Sequence, residues 1–275
     1  MKRLIGILVV LACGCGSGPK PPAGQPAVFV QPDTLDATTI KPANLACLGT
    51  HMDPAAPTTT TALMVVVSDF EMKTPVDGAT VEVYTTLAKF NAKTPDATSL
   101  PTVGGTALLM IPPGSYRVIF RTTGDPNATV ETIEFNRAYN DPARYSVSIA
   151  TKGTIQAVLS LEPDDTQGVV AGSVRDCDEK EVGGAVFETS SSGGAFDNAV
   201  NTFYFVDVAK NSTVPSRGQK WTSGDGVFAS LNVPPGDVTL VSRGLLTVGG
   251  ALTELGTGIA PVRANSITVV QLEPL

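Results

Sequence analysis

Two stretches of this chain carry the same turn followed by the same kind of strand. One is Ile111-Pro112-Pro113-Gly114-Ser115-Tyr116-Arg117-Val118; the other is Val233-Pro234-Pro235-Gly236-Asp237-Val238-Thr239-Leu240. In Pro-Pro-Gly the second proline presets φ for the first turn position, and the glycine accepts the positive φ that a type II turn needs next. The chain reverses there and enters a strand, twice, at a spacing that suits one domain per copy. Val76-Asp77-Gly78-Ala79 likewise matches Val182-Gly183-Gly184-Ala185, preceded by Asp69 and Asp176 at almost equal distance. A third pairing sets Ala157–Pro163 (AVLSLEP) against Thr268–Pro274 (TVVQLEP). The landmarks recur in one order, so the chain reads as a diverged internal repeat of about 100–110 residues per copy, the size of a β-sandwich.

Periodicity supports strands. Tyr145, Val147 and Ile149 alternate with Ser146 and Ser148, and Ile155, Ala157, Leu159 and Leu161 alternate with their neighbours. Period two means half-buried strands. Leu63–Val67 is a continuous apolar run, as expected of a strand buried on both faces. No segment sustains a 3.6-residue pattern over three turns; Ala88–Ala97 has room for a short helical turn. The glycines read as turn residues, because a phosphate cradle needs a helix straight after the loop.

The N-terminus reads as an export signal. Lys2 and Arg3 precede the apolar run Leu4–Ala12 and then Cys13-Gly14-Cys15-Gly16. Such a run is too short to span a bilayer and fits a signal-peptide core. Val10-Leu11-Ala12-Cys13 resembles a bacterial lipoprotein lipobox, which implies cleavage before Cys13 and its acylation; Cys15 is the second choice. Several acyl chains together make a stable anchor where one is marginal. Neither cysteine is followed by aspartate, which by analogy with lipoprotein sorting points to the outer membrane or cell surface. Residues 1–12 are thus expected to be a signal peptide and 13–57, rich in Pro, Thr, Ala and Gly, a lipidated tether.

The four cysteines show no zinc-ligand spacing. Export implies an oxidising compartment. Cys47 and Cys177 are left to pair, or to stand as two separate thiols; a bridge would close a loop of about 130 residues. The charge of −7, with 16% charged residues and no basic cluster, argues against nucleic acid.

The second copy resembles a carboxypeptidase regulatory-like, or transthyretin-like, domain. The residues that carry this are Gly172-Ser173-Val174-Arg175-Asp176, Gly184-Ala185-Val186, Asp225-Gly226-Val227-Phe228 and Pro234-Pro235-Gly236. The first copy keeps Gly78-Ala79-Thr80-Val81 and Pro112-Pro113-Gly114, but has Val65 where the early glycine would stand and Gly105-Thr106-Ala107-Leu108 for D-G-x-F. The resemblance implies an all-β protein of two tandem transthyretin-like or Ig-like sandwiches, over 62–163 and 168–275. It also implies an accessory module that is not an enzyme, with no cofactor and no catalytic residues to carry over. The expected partners are a lipid membrane and a protein or polysaccharide.

Few residues offer chemistry. His51 is the single histidine and lacks a nucleophile elbow, so it reads as an exposed loop residue. Asp164-Asp165 and Asp176-Cys177-Asp178-Glu179 read as solvated loop acids, without the ligand ring of a calcium site. The insertion between Val186 and Trp221 holds Phe203-Tyr204-Phe205. Alternation sends Phe203 and Phe205 into the core and Tyr204 to the other side, where Tyr204 and Trp221 are the candidate sugar-stacking residues.

Overall fold

In the computed structural model of the chain, residues 27–29, 40–50, 52–162, 164–191, 194–209 and 212–274 are described. The predicted signal, Cys13, Cys15 and His51 lie outside them. The elements are, in order, β1 (Ala27–Phe29), β2 (Ile40–Pro42), β3 (Thr61–Asp69), β4 (Thr80–Tyr84), α1 (Leu87–Asn91), β5 (Ala97–Thr98), β6 (Thr106–Ile111), β7 (Arg117–Thr123), β8 (Thr129–Ala138), β9 (Ala143–Ser148) and α2 (Ile149–Val158). There follow β10 (Gly168–Val174), β11 (Val186–Ser191), α3 (Asn198–Asn201), β12 (Thr202–Ala209), β13 (Ser212–Ser216), β14 (Val227–Val233), β15 (Gly236–Leu245), β16 (Leu252–Val262) and β17 (Ser266–Leu272). The fold is all-β, as expected.

The repeat is a repeat of topology. In the first sandwich β3 pairs antiparallel with β6 and parallel with β9, while β4–β7–β8 form the facing sheet. In the second, β10 pairs antiparallel with β14 and parallel with β17, facing β11–β15–β16. Past a bulge at the start of β10, the register of the two copies matches. Val65 opposite Ala107 corresponds to Gly172 opposite Phe228, and Met64 opposite Leu108 to Ala171 opposite Ala229. Val65 does occupy the place of the early glycine. That glycine is required in the second copy alone, because a Cβ on Gly172 would lie 2.0 Å from the Val270 carbonyl oxygen. Gly172→Ala is therefore expected to force β10 and β17 apart, at a cost of about 1–3 kcal/mol, measured as a lower denaturation midpoint. An unchanged midpoint would refute the close approach.

The two sandwiches share a sheet. β17 pairs parallel with β8 from Ser266–Glu131 to Val270–Phe135, so the strand order runs β13-β12-β14-β10-β17-β8-β7-β4-β5 across both halves. Side-chain alternation then sets the two cores on opposite faces. Phe120 and Val118 enter the first core, with Leu63, Val65, Val67, Leu109 and Ile111. Val170, Val174, Val270 and Leu272 enter the second, with Phe187, Phe228 and Leu240. Each exposed half-face of the shared sheet has its own cover. Phe90 of α1 packs on Tyr84, Ile119 and Ile133, and Leu159 and Ile155 of the α2 region pack on Val169, Phe203, Leu231 and Ile267.

Three expectations are corrected. First, Ile149–Val158 is a helix, so Ala157–Pro163 is not the counterpart of Thr268–Pro274; the last strand of the first copy, matching β17, is β9. Ser148 caps α2 by accepting from Thr151 N–H at 3.0 Å, a preferred N-cap geometry. The helical period is hidden because the buried face carries Thr151, Lys152 and Gln156. The Lys152 ammonium is satisfied by Asp165 at 2.9 Å and the Asn265 side-chain oxygen at 2.6 Å. Second, β3 is not buried on both faces: Leu63, Val65 and Val67 are buried, but Met64 is 55% and Val66 41% exposed. Third, folding within the tether reaches back beyond the stretch near Cys47. β1 and β2 form a hairpin that extends the sheet at the end of β15, and Ala43 and Leu45 lie in the second core.

Candidate functional site

The residues singled out for chemistry mostly hold the backbone. Cys47 and Cys177 form a disulfide, with S–S 2.02 Å. It joins the segment before the first sandwich to the turn after β10. Asp176, buried, organises both partners of that bridge. Its carboxylate accepts from Asn44 N–H at 2.8 Å, Asp178 N–H at 2.9 Å and Lys180 N–H at 3.0 Å. Cys177 N–H donates to Asn44 O at 2.8 Å, and the Asn44 amide donates to Asp178 at 3.0 Å. A carboxylate with three backbone donors is an anchor for a turn. Asp164 has the same kind of role at an exposed turn, where Thr166 donates from its hydroxyl and its N–H and holds the carboxyl below the usual range. Asp165 neutralises Lys152. Among the described residues no group of three His, Cys, Asp or Glu side chains gathers for a metal ion.

The aromatic insertion is buried on both sides of its strand. β12 adds to the edge of β14, with Phe203 opposite Ala229 and Tyr204 opposite Phe228. Phe203 enters the cluster under α2, and Tyr204 enters the second core. This corrects the expectation that Tyr204 faces outward. Its hydroxyl accepts from Phe187 N–H at 2.8 Å, and burial pushes the phenol up to about 12 against that hydrogen bond. Phe205 is half-buried rather than core, and Trp221 is half-buried. Tyr204 and Trp221 therefore form no open stacking platform. Beside them runs a crevice of about 370 Å³, lined by Phe187, Phe203, Tyr204, Arg217, Gln219 and Leu252 among others, without Trp221.

Two features escaped the sequence reading. Thr102 and Thr222 are equivalent, and both are buried. The Thr102 hydroxyl accepts from Ala79 N–H at 3.0 Å and donates to Val76 O at 2.6 Å; the Thr222 hydroxyl does the same with Ala185 N–H at 3.0 Å and Val182 O at 2.7 Å. These threonines pin the recurrent Gly-Ala turns. The signal was present in sequence only as a threonine three or four residues before Gly105 and Gly226. The second feature is a fully buried ion pair, Arg144 with Glu134 at 3.0 Å, in the first core. Glu134 also accepts from Tyr145 N–H at 2.9 Å, and the guanidinium lies over Phe120, 3.8 Å from the ring centre. Burial pulls Arg144 below the usual arginine range, with Glu134 opposing it.

Between the sandwiches, Arg117 joins Glu273 at 2.6 Å and Asp53 at 2.7 Å. Burial alone would lower this arginine, but its two carboxylate partners raise it.

Fold and site together define a class: two sandwiches of one topology, back to back on a common sheet, whose buried polar groups serve turns and junctions. No family model matches the chain, and no curated protein matches it. Solved structures similar to it include the Bacillus anthracis TIE protein, at 14% identity and TM-score 0.23 over 78% of this chain. The chain spans 34% of that protein's length. The shaft pilin spaA from Lactobacillus rhamnosus GG is similar at 11% identity and TM-score 0.24, over 79% of this chain and 98% of the pilin. The Streptococcal ancillary pilin is similar at 15% identity and TM-score 0.22, over 90% of this chain and 73% of that one. At such similarity the likeness does not extend to partners or activity.

Proposed function

We propose that this chain is a non-enzymatic lipoprotein of the bacterial cell envelope, a stiff structural module held at the outer membrane or cell surface through Cys13, or failing that Cys15. The two sandwiches are read as diverged carboxypeptidase regulatory-like domains that present a surface to a protein or polysaccharide partner. The observation that carries this reading is the junction. Parallel pairing of β8 with β17 and the Arg117–Glu273 ion pair tie the halves at two separate points, and the Cys47–Cys177 bridge fixes the segment that leads into the first sandwich onto the second. Such a junction suits a spacer or scaffold, where catalysis between domains commonly uses closure about a hinge. The loop carboxylates committed to backbone donors point the same way.

Mass spectrometry of the mature N-terminus tests the anchor. A diacylglyceryl cysteine at position 13 or 15 is expected; an unmodified N-terminus at residue 16 or beyond overturns it. A carbohydrate-binding alternative lost its open platform with the burial of Tyr204. A glycan and peptidoglycan screen, with Trp221→Ala as control, is expected to show no binding that depends on Trp221.

A further inference from the structure

The two copies differ in one place that matters for association. In the second sandwich the outer edge of β14 is taken by β12, running antiparallel. The outer face of β10 and β14 (Val169, Ala171, Leu231) is covered by the α2 region and Phe203. Among the described residues the first copy has no counterpart of β12, and its equivalent strand β6 pairs with β3 and, at its first residue, bridges from Thr106 to Val103. The equivalent face is open. Met64, Val66, Leu108 and Met110 are 55%, 41%, 54% and 48% exposed.

The free edge can be assigned to atoms. Val67 N–H donates to Gly105 O on the β6 side, while Val66 N–H donates to Pro142 O toward β9. Antiparallel alternation then turns the backbone of Ala107, Leu109 and Ile111 toward β3, and that of Leu108 and Met110 outward. Natural edges are usually blunted by charge, proline or brevity. Other outer strands here follow that rule. β5 has two residues, β2 contains Lys41 and Pro42, β13 contains Pro215, and β16 contains Glu254 and Pro261. β11 is capped, with Phe187 N–H on Tyr204 and Thr189 N–H on Asn198. β6, TALLMI, has no charge and no proline, and past Thr106, whose outward N–H and carbonyl are taken by Val103, its edge at Leu108 and Met110 has none of these protections among the described residues. Moreover, residues 54–68 and 97–116 contain no charged residue at all, in a chain of charge −7. Two acidic copies can approach along this edge without bringing carboxylates together.

We infer that β6 is a self-association edge, which pairs antiparallel with β6 of a second copy about a twofold axis at Leu109. The outward residues then match. Leu108 of one copy meets Met110 of the other, twice, giving four backbone hydrogen bonds and joining the two apolar faces. The four half-exposed side chains leave roughly 400 Å² of apolar surface open per copy, within the size range that is often functional. Edge pairing covers the β6 backbone and the flanks of Leu108 and Met110 while Met64 and Val66 stay on the open face, so the buried area falls well short of the ~800 Å² per copy of a standard interface. The dimer is therefore weak and reversible, with Kd on the order of 10–100 µM, and forms where copies are crowded.

The test is sedimentation equilibrium of the full chain in density-matched detergent, together with amide exchange at rising concentration. A monomer–dimer equilibrium in that range is expected, with exchange slowing at Leu108 and Met110 but not at Leu109. Leu108→Lys and Met110→Lys, at half-exposed positions, weaken the dimer at least about tenfold. Met64→Lys, on the same face one strand away from the edge, leaves edge protection in place. A monomer at every concentration overturns the inference, and so does a dimer that survives both edge lysines.

Discussion

Replacing Cys47 and Cys177 together with serine is expected to lower the stability of the chain by about 5 kcal/mol. The bridge spans 130 residues in sequence, and closing a loop of that length removes about this much entropy from the unfolded chain in the loop-closure model. The effect is read as the shift in guanidinium midpoint between the oxidised parent and the double variant. The folded variant keeps its arrangement near the former bridge. Asp176 still receives Asn44 N–H, and Ala43 and Leu45 still sit in the second core. Most of the loss therefore lies in the unfolded state. A shift under about 1 kcal/mol would mean that the unfolded chain is already restrained, or that the bridge strains the fold.

Glu134→Ala is expected to cost about 3–5 kcal/mol, because it removes the only carboxylate among the described residues within hydrogen-bond distance of the buried Arg144 guanidinium and leaves Asp141 3.6 Å away. It also frees Tyr145 N–H, which Glu134 accepts. Arg144→Met should cost less. Glu134 then keeps the Tyr145 N–H, and the Arg137 guanidinium stands 3.6 Å away. The order of the two variants, rather than either value, is the informative result. Equal losses, or a larger loss for Arg144→Met, would show that packing over Phe120 matters more than the pairing of charge. Denaturant unfolding of both variants under one set of conditions decides it.

Much of the architecture was legible in sequence because turns and period-two alternation are local. Pro112-Pro113-Gly114 and Pro234-Pro235-Gly236 lead into β7 and β15, and the D-G turn at Asp225-Gly226 leads into β14. The failures came where burial is decided by distant chain. Tyr204 faces inward because β12 lies between two layers, one of them supplied by α2, and a strand's alternation says nothing about a second cover. α2 was hidden because its buried face carries Lys152, whose partners Asp165 and Asn265 lie 13 and 113 residues further on, outside the helix. The fusion of two sheets through β8 and β17 left no mark in either strand. Of the candidate site, the pairing of Cys47 with Cys177 was open in the sequence, since proximity across 130 residues is a tertiary fact.

The bridge also decides how the molecule would respond to being pulled. Tension applied ahead of Cys47 and taken up beyond Cys177 crosses from one chain segment to the other through the sulfurs. Residues 48–176, with the whole first sandwich among them, form a closed loop outside that path. Roughly 450 Å of extendable chain is withheld in this way, at ~3.5 Å per residue. The first sandwich, which presents the open β6 edge, thus lies outside the covalent line of force and is coupled to it through the pairing of β8 with β17. It keeps its shape while the second sandwich carries the strain, and only reduction of the bridge would place both in series.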